Sequence, residues 1–345
     1  MTSFLNNESK EITEETDHFG LLPEIDIIYN ILSSPEFISS GLSTIAIYGS
    51  WGTGKSSLMK TLIKRLEQHE TALFEAWKFE KDNNLSMSLI DFLSSEKFPK
   101  YDSTDELLAT SWTFLKGLVK GITIDTKVIK FSAKDALEDV EEQIDEREAE
   151  KYSSQYKIHE EFKKEFQKFL HSLLQRDKNK RLYVFIDDLD RCEPEGVLNL
   201  ISSIKNFFTF DDLRDRVFFI AGIDRNAVGQ AIRTRYGDVI GSDQYLEKVF
   251  DFTFELPNLK PNLLHYQHVF NGVEERYIKQ LNEYLSFIGF DSPRKVKKMM
   301  NQYYRLRLLS TSNLQDPILR RFDFSLLDRE NYYEHVFLIN LLILK

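Results

Sequence analysis

A compact apolar run, Thr44-Ile45-Ala46-Ile47-Tyr48, passes directly into Gly49-Ser50-Trp51-Gly52-Thr53-Gly54-Lys55-Ser56, and Ser56–His69 then carries apolar residues at helical spacing. Strand, glycine-rich turn and helix in that order are what a phosphate-binding loop requires, and the octet satisfies G-x-x-x-x-G-K-[ST] at every position. The glycines let the backbone curl so that several N–H groups converge on a phosphate at the positive end of the following helix. Lys55 supplies a point charge for β- and γ-phosphates, and the Ser56 hydroxyl is a candidate magnesium ligand. The candidate cofactor-binding residues are therefore Gly49, Ser50, Trp51, Gly52, Thr53, Gly54, Lys55, Ser56 and Ser57, with ATP and Mg2+ as the cofactors. Trp51 reads as packing more readily than as base stacking. No guanine-selective asparagine–lysine motif with aspartate stands out, which favours ATP over GTP.

The partner signal is Leu182-Tyr183-Val184-Phe185-Ile186-Asp187-Asp188. Two acids at the end of an apolar buried strand are expensive unless they work at the sheet edge, where ligands bind in α/β folds. Asp187 is placed to hold magnesium, and Asp188 to orient and deprotonate an attacking water. Taken alone, the pair could also cap the next helix.

Around these motifs the chain alternates. After a polar, flexible lead-in of about sixteen residues, an amphipathic helix is expected over Leu21–Ser40, and a second strand over Ala72–Trp77. A long helix, Tyr156–Leu174, precedes the acid strand. Helix Glu195–Phe208, strand Val217–Ile223, helix Arg225–Tyr236 and strand Phe250–Glu255 follow. Helical patterns over Leu264–Phe287, Pro293–Leu309 and Tyr333–Leu344 close the chain. The expected divisions are 1–82, the N-terminal helix and first half of the core; 83–153, an acidic, partly helical insert; 154–257, the second half; and 258–345, a helical lid. In the insert, Asp135–Glu150 holds nine acidic residues and one basic, the mark of a solvated helix or arm. Lys116, Lys120, Lys127, Lys130 and Lys134 interleave with apolar residues, which suits a packed helix or a segment lying on a membrane or partner.

A formal charge of −10 argues against general nucleic-acid binding, though a local basic groove could override it. The single cysteine, Cys192, excludes an internal disulfide and fits a reducing, cytoplasmic setting. The N-terminus has no apolar core flanked by positive charge, and the longest apolar stretches fall far short of a membrane span. A soluble chain is expected.

Three segments, Tyr48–Ser57, Phe74-Glu75-Ala76-Trp77-Lys78-Phe79 and Ile186-Asp187-Asp188-Leu189-Asp190-Arg191-Cys192, resemble the hallmarks of the KAP family of P-loop NTPases. Ile223-Asp224-Arg225, Tyr245-Leu246-Glu247-Lys248 and Ser292-Pro293-Arg294-Lys295 extend the resemblance to about residues 17–305. It implies an α/β P-loop core of about five mostly parallel strands, with the Asp224 strand between the loop strand and the acid strand. It further implies ATPase activity coupled to signalling or to defence against phage and plasmids. The expected function is an ATPase switch read by a protein effector, partner subunit or homo-oligomer; the alternative is a non-catalytic nucleotide-gated scaffold. Many members carry transmembrane helices where this chain has the 83–153 segment, whose composition is soluble.

Within that frame Asp224 either senses the γ-phosphate or caps the next helix. Arg191, Arg225 and Arg294 are candidates for stabilising transition-state charge, with surface ion pairs as the alternative for the first two. Asp17-His18-Phe19-Gly20 either lines the base pocket or forms a capping turn. His265 and His268 stand too isolated for a metal site. The catalytic set expected is Lys55, Asp188, Asp224 and Arg294, with Ser56 and Asp187 on the metal.

Overall fold

The structure, a computed structural model, describes residues 4–82, 84–93, 163–174, 177–206, 208–237, 241–257, 262–266, 270, 274–290 and 292–311. Most of the expected insert, the lysine-rich stretch within it and the Tyr333–Leu344 helix lie outside them. The chain groups into two compact units, one of Ile28–Tyr48 and Leu62–Glu255, the other of Met1–Ile27, Gly49–Thr61 and Leu256–Lys345.

The first unit is built on five parallel strands: β1 Thr44–Tyr48, β2 Glu70–Glu75, β3 Leu182–Asp187, β4 Val217–Ile223 and β5 Phe252–Glu255. Their order is β2-β3-β4-β1-β5. β4 thus lies between the loop strand and the acid strand. β1, β3 and β4 are buried at every position, whereas the edge strands β2 and β5 alternate. Central parallel strands covered on both faces demand such unbroken apolar runs. Parallel register also brings every carboxyl end to one edge: Tyr48 pairs with Ile223 and with Glu255, and Glu75 with Asp187. Helix Pro194–Asn206 packs against Arg225–Tyr236 and against Leu85–Asp91. Leu85, Leu89, Ile90 and Leu93 join Phe166 and Leu170 of helix 163–174 in one apolar core.

Of the boundaries in this unit that depart from expectation, two have a clear local cause; β5 starts at Phe252 and not Phe250, and the helix after the acid strand runs Pro194–Asn206 and not Glu195–Phe208. The first amphipathic helix is broken at Ser34, whose extended backbone (φ −72°, ψ 139°) is what Pro35 imposes on the residue before it. The Ser34 hydroxyl then caps Pro35–Ser39 by accepting from the Phe37 N–H at 3.2 Å. β2 runs Glu70–Glu75 and not Ala72–Trp77, because Ala76–Phe79 closes into a tight turn that stacks Phe79 on Phe74 at 4.9 Å.

In the second unit, Ile278, Leu281 and Leu285 of helix Glu275–Phe287 meet Val296, Met300 and Tyr303 of helix Pro293–Thr311. The single helix expected over Leu264–Phe287 is a short 3₁₀ turn, Leu263–Tyr266, followed by a separate helix from Glu275. The turn-favouring pair Asn271-Gly272 lies between the two. The N-terminal lead-in is not a loose tail. Leu5 exchanges two hydrogen bonds with the Asn301 side chain (2.7 and 2.8 Å), the Ile12 N–H donates to Thr61 Oγ1 (2.9 Å), and Lys60 Nζ donates to Ser9.

Candidate nucleotide site

Gly49 leaves the carboxyl end of β1, and the chain re-enters a helix at Lys55, Lys55–Arg65. Between them the backbone turns through left-handed values that favour glycine, φ +84° at Gly52 and +102° at Gly54. At Gly49 the constraint is space: a Cβ there would stand 2.7 Å from Thr53 Oγ1. Thr53 Oγ1 donates to the Ser50 carbonyl at 2.8 Å, which holds the curl. Lys55 is buried, and its Nζ donates to the loop's own carbonyls, Gly49 O at 2.7 Å and Ser50 O at 3.2 Å. These are bonds an ammonium can exchange for phosphate oxygens. Leu58, Met59 and Leu62, one face of the helix, are fully buried and anchor it.

Asp187 ends β3 and is only 4% exposed. One of its oxygens accepts from the Asp188 N–H at 2.9 Å, and among the described residues no cation lies within ion-pair distance of it. A buried carboxylate without a cation is costly, and that donor chemistry fits a divalent metal. No group of three or more His, Cys, Asp or Glu among the described residues is arranged to hold a metal. Magnesium, which keeps several waters and takes one or two carboxylates plus phosphate oxygens, needs none.

Asp188 sits at φ +58°, the one non-glycine residue with positive φ among those described. The chain reverses there into the 3₁₀ turn Leu189–Arg191. Its carboxylate pairs with Arg191 Nη2 at 3.1 Å, and the Arg191 guanidinium lies 5.8 Å from the Trp77 ring centre. Burial and the neighbouring Asp187 push the Asp188 carboxyl up to about 6, with Asp190 and Glu75 adding to the rise and Arg191 opposing it.

The KAP family P-loop domain matches residues 23–310. The chain belongs to this family. The match takes in the loop, all five strands, the acid pair and the two long C-terminal helices. An uncharacterized protein of Methanocaldococcus jannaschii is 33% identical to it, the alignment covering 39% of this chain and 82% of that protein. Membership places the chain among P-loop NTPases, a class that binds nucleotides. Among the described residues no helix is long and apolar enough to cross a membrane.

The other candidates fall in definite places. Asp224 caps helix Arg225–Tyr236, accepting from the Asn226 and Ala227 N–H groups at 3.0 and 3.4 Å. Arg225 pairs with Glu255 at 2.8 Å and covers the Tyr48 ring at 4.1 Å. Arg294, just inside helix Pro293–Thr311, stacks on Trp51 of the loop with its guanidinium carbon 4.7 Å from the ring centre. Trp51 is nevertheless 61% exposed. Beside it the Ser292 hydroxyl donates to the Gly52 carbonyl at 3.3 Å. Ser56 and Ser57 open the helix after the loop. Asp17 forms a capping turn, its two oxygens accepting from Leu21 and Leu22 N–H at 2.8 Å each. His18 stacks flat on His265, ring centres 5.0 Å apart, and His268 lies outside the described residues. Missed from the sequence were Lys297 and the lead-in as a wall beside the loop; a helical lysine and a polar tail carry no signal that separates them from solvated surface.

Proposed function

We propose that this KAP-family chain is a magnesium-dependent ATPase that works as a switch. The observation that carries the reading is the loop itself: a curled Gly49–Gly54 backbone feeding a helix N-terminus, with a buried Lys55 ammonium held by exchangeable carbonyl bonds. In this reading the loop N–H groups and Lys55 bind the β- and γ-phosphates, and Ser56 and Asp187 hold the metal. Bound magnesium would neutralise charge developing on the phosphate oxygens. Asp188 accepts a proton from the attacking water; a carboxyl raised to about 6 is a stronger base than an ordinary aspartate and is still ionised at neutral pH. Its left-handed backbone is the kind of local strain that collects at working sites.

Arg294 supplies the switch. In exchanging Trp51 for the γ-phosphate it would tie the lid helix to the nucleotide state, an element with two arrangements whose balance hydrolysis resets. Control of a protein effector in defence against phage or plasmids, or in related signalling, is proposed from the family alone. ATP affinity by calorimetry tests the core of the reading. Lys55→Ala should abolish tight binding in a folded chain, and unchanged affinity would sink it.

A further inference from the structure

A cavity of about 310 Å³ opens beside the loop residues Thr53, Gly54 and Ser57. That is the lower end of the size range of ligand sites and suits one small organic group. Its remaining walls include Ile12, Phe19 and Leu21 from the N-terminal segment, and Tyr266 and Lys297 from the helical part. The N-terminal wall is fixed in place, since Leu5 is bonded to Asn301 and Ile12 to Thr61. Ile12, Phe19 and Leu21 offer apolar surface between polar and charged side chains, and the Tyr266 ring that completes the wall is itself fully buried.

The charges around the cavity decide what it takes. Glu8, Glu11 and Asp17 share the lining with Lys10 and Lys297, so a free anion gains nothing there. A neutral group with polar edges does. Lys297 is half-buried, and burial together with nearby Lys10 pushes its ammonium down. Its one acceptor among the described residues is the Asn6 carbonyl, at a long 3.4 Å. An ammonium carries three donors, so Lys297 keeps capacity for a ligand acceptor.

A triphosphate held by Gly49–Ser56 carries its nucleoside on the same molecule, and this cavity shares a wall with that loop. The geometry points to the cavity as the nucleoside site, with Lys297 donating to a ring nitrogen or ribose oxygen and the N-terminal segment forming part of the binding wall. The inference rests on the loop being the phosphate site.

Calorimetry on the full chain with magnesium, using ATP, ribose 5-triphosphate and inorganic tripolyphosphate, separates the two. Lys297→Met should weaken ATP about tenfold, the scale of one hydrogen bond to a charged group, and leave tripolyphosphate unchanged. A parallel loss for ribose 5-triphosphate assigns the bond to the ribose, and no loss assigns it to the base. Ile12→Trp, which fills the cavity from its N-terminal wall, should weaken ATP without touching tripolyphosphate. Lys55→Ala should weaken all three ligands. If it does so while both Lys297→Met and Ile12→Trp bind ATP like the parent, the loop reading stands and the nucleoside site is refuted. Equal losses for ATP and tripolyphosphate in Lys297→Met would also overturn it. If none of the ligands responds to Lys55→Ala, the phosphate-site reading fails first.

Discussion

Asp188→Asn separates what the acid does for chemistry from what it does to stability. A rise from 3.8 to about 6 means that the folded chain prefers the neutral carboxyl by ~3 kcal/mol. The side chain is 14% exposed, so solvent screening removes little of this. Because the folded value lies above the unfolded one, the stabilising contribution is complete below about pH 4 and is lost as pH rises through about 6. Above that, the ionised carboxylate is a burden. Asparagine is a neutral isostere and tolerates a left-handed backbone as aspartate does, so the strain at φ +58° is unchanged. Urea melts without nucleotide or metal should therefore find Asp188→Asn more stable than the parent by up to ~3 kcal/mol at pH 8. At pH 5 the gap should shrink to roughly half, as the parent regains its proton. ATP turnover should fall by about 10²–10⁴-fold, the range for losing a general base. A variant no more stable than the parent at pH 8, or a gap that widens toward pH 5, would refute the electrostatic account. Parental turnover would leave Asp188 structural and assign the attacking water to another group.

Three further outcomes follow from the same geometry. Gly52→Ala places a Cβ 2.8 Å from Ser292 Oγ and 3.0 Å from Arg294 Cβ at φ +84°, and should cost about 1–3 kcal/mol in urea melts together with most of the ATP affinity. Asp224→Ala should lose about 1 kcal/mol of stability with its cap, while Asp224→Asn keeps the cap; turnover that falls in Asp224→Asn at parental stability assigns it to the γ-phosphate. Arg294→Ala should erase the difference in Trp51 fluorescence, and in protease protection of the lid, between a non-hydrolysable ATP analogue and ADP, with Trp51→Phe as the optical control. A difference that survives moves the trigger to Arg191 or Arg225.

What was legible in the sequence is what burial writes as an unbroken run. Val217–Ile223 is a central strand covered on both faces, and its limits coincide with its apolar stretch. The loop was legible because its chemistry needs fixed residue types at fixed spacing, and Gly52 and Gly54 occupy the two left-handed positions. Ser34-Pro35 was visible but overruled by the helical period around it, where the local rule at proline was the stronger one. Asp188 gave no hint of its backbone, because a left-handed aspartate at a strand end looks like any acid in a row of letters.

The N-terminal segment was misread for a different physical reason. A polar, aperiodic stretch reads as solvated when its backbone groups have no helix or sheet to join. Here they are satisfied by side chains far along the chain: Ile12 by Thr61, 49 residues away, and Leu5 by Asn301, 296 residues away. Such bonds leave no period, because one partner is a lone side chain and the other a backbone group that every residue possesses. They nonetheless hold the segment against the helix that leaves the phosphate loop and against the last described helix. A segment ordered by polar bonds to two elements at once responds to any shift of one relative to the other. If the lid helix moves when Arg294 leaves Trp51, the Leu5–Asn301 pair moves with it, while Ile12 stays on Thr61. Amide exchange at Leu5 should then depend on the nucleotide and exchange at Ile12 should not; equal changes at both would mean that segment and lid move as one body with the loop.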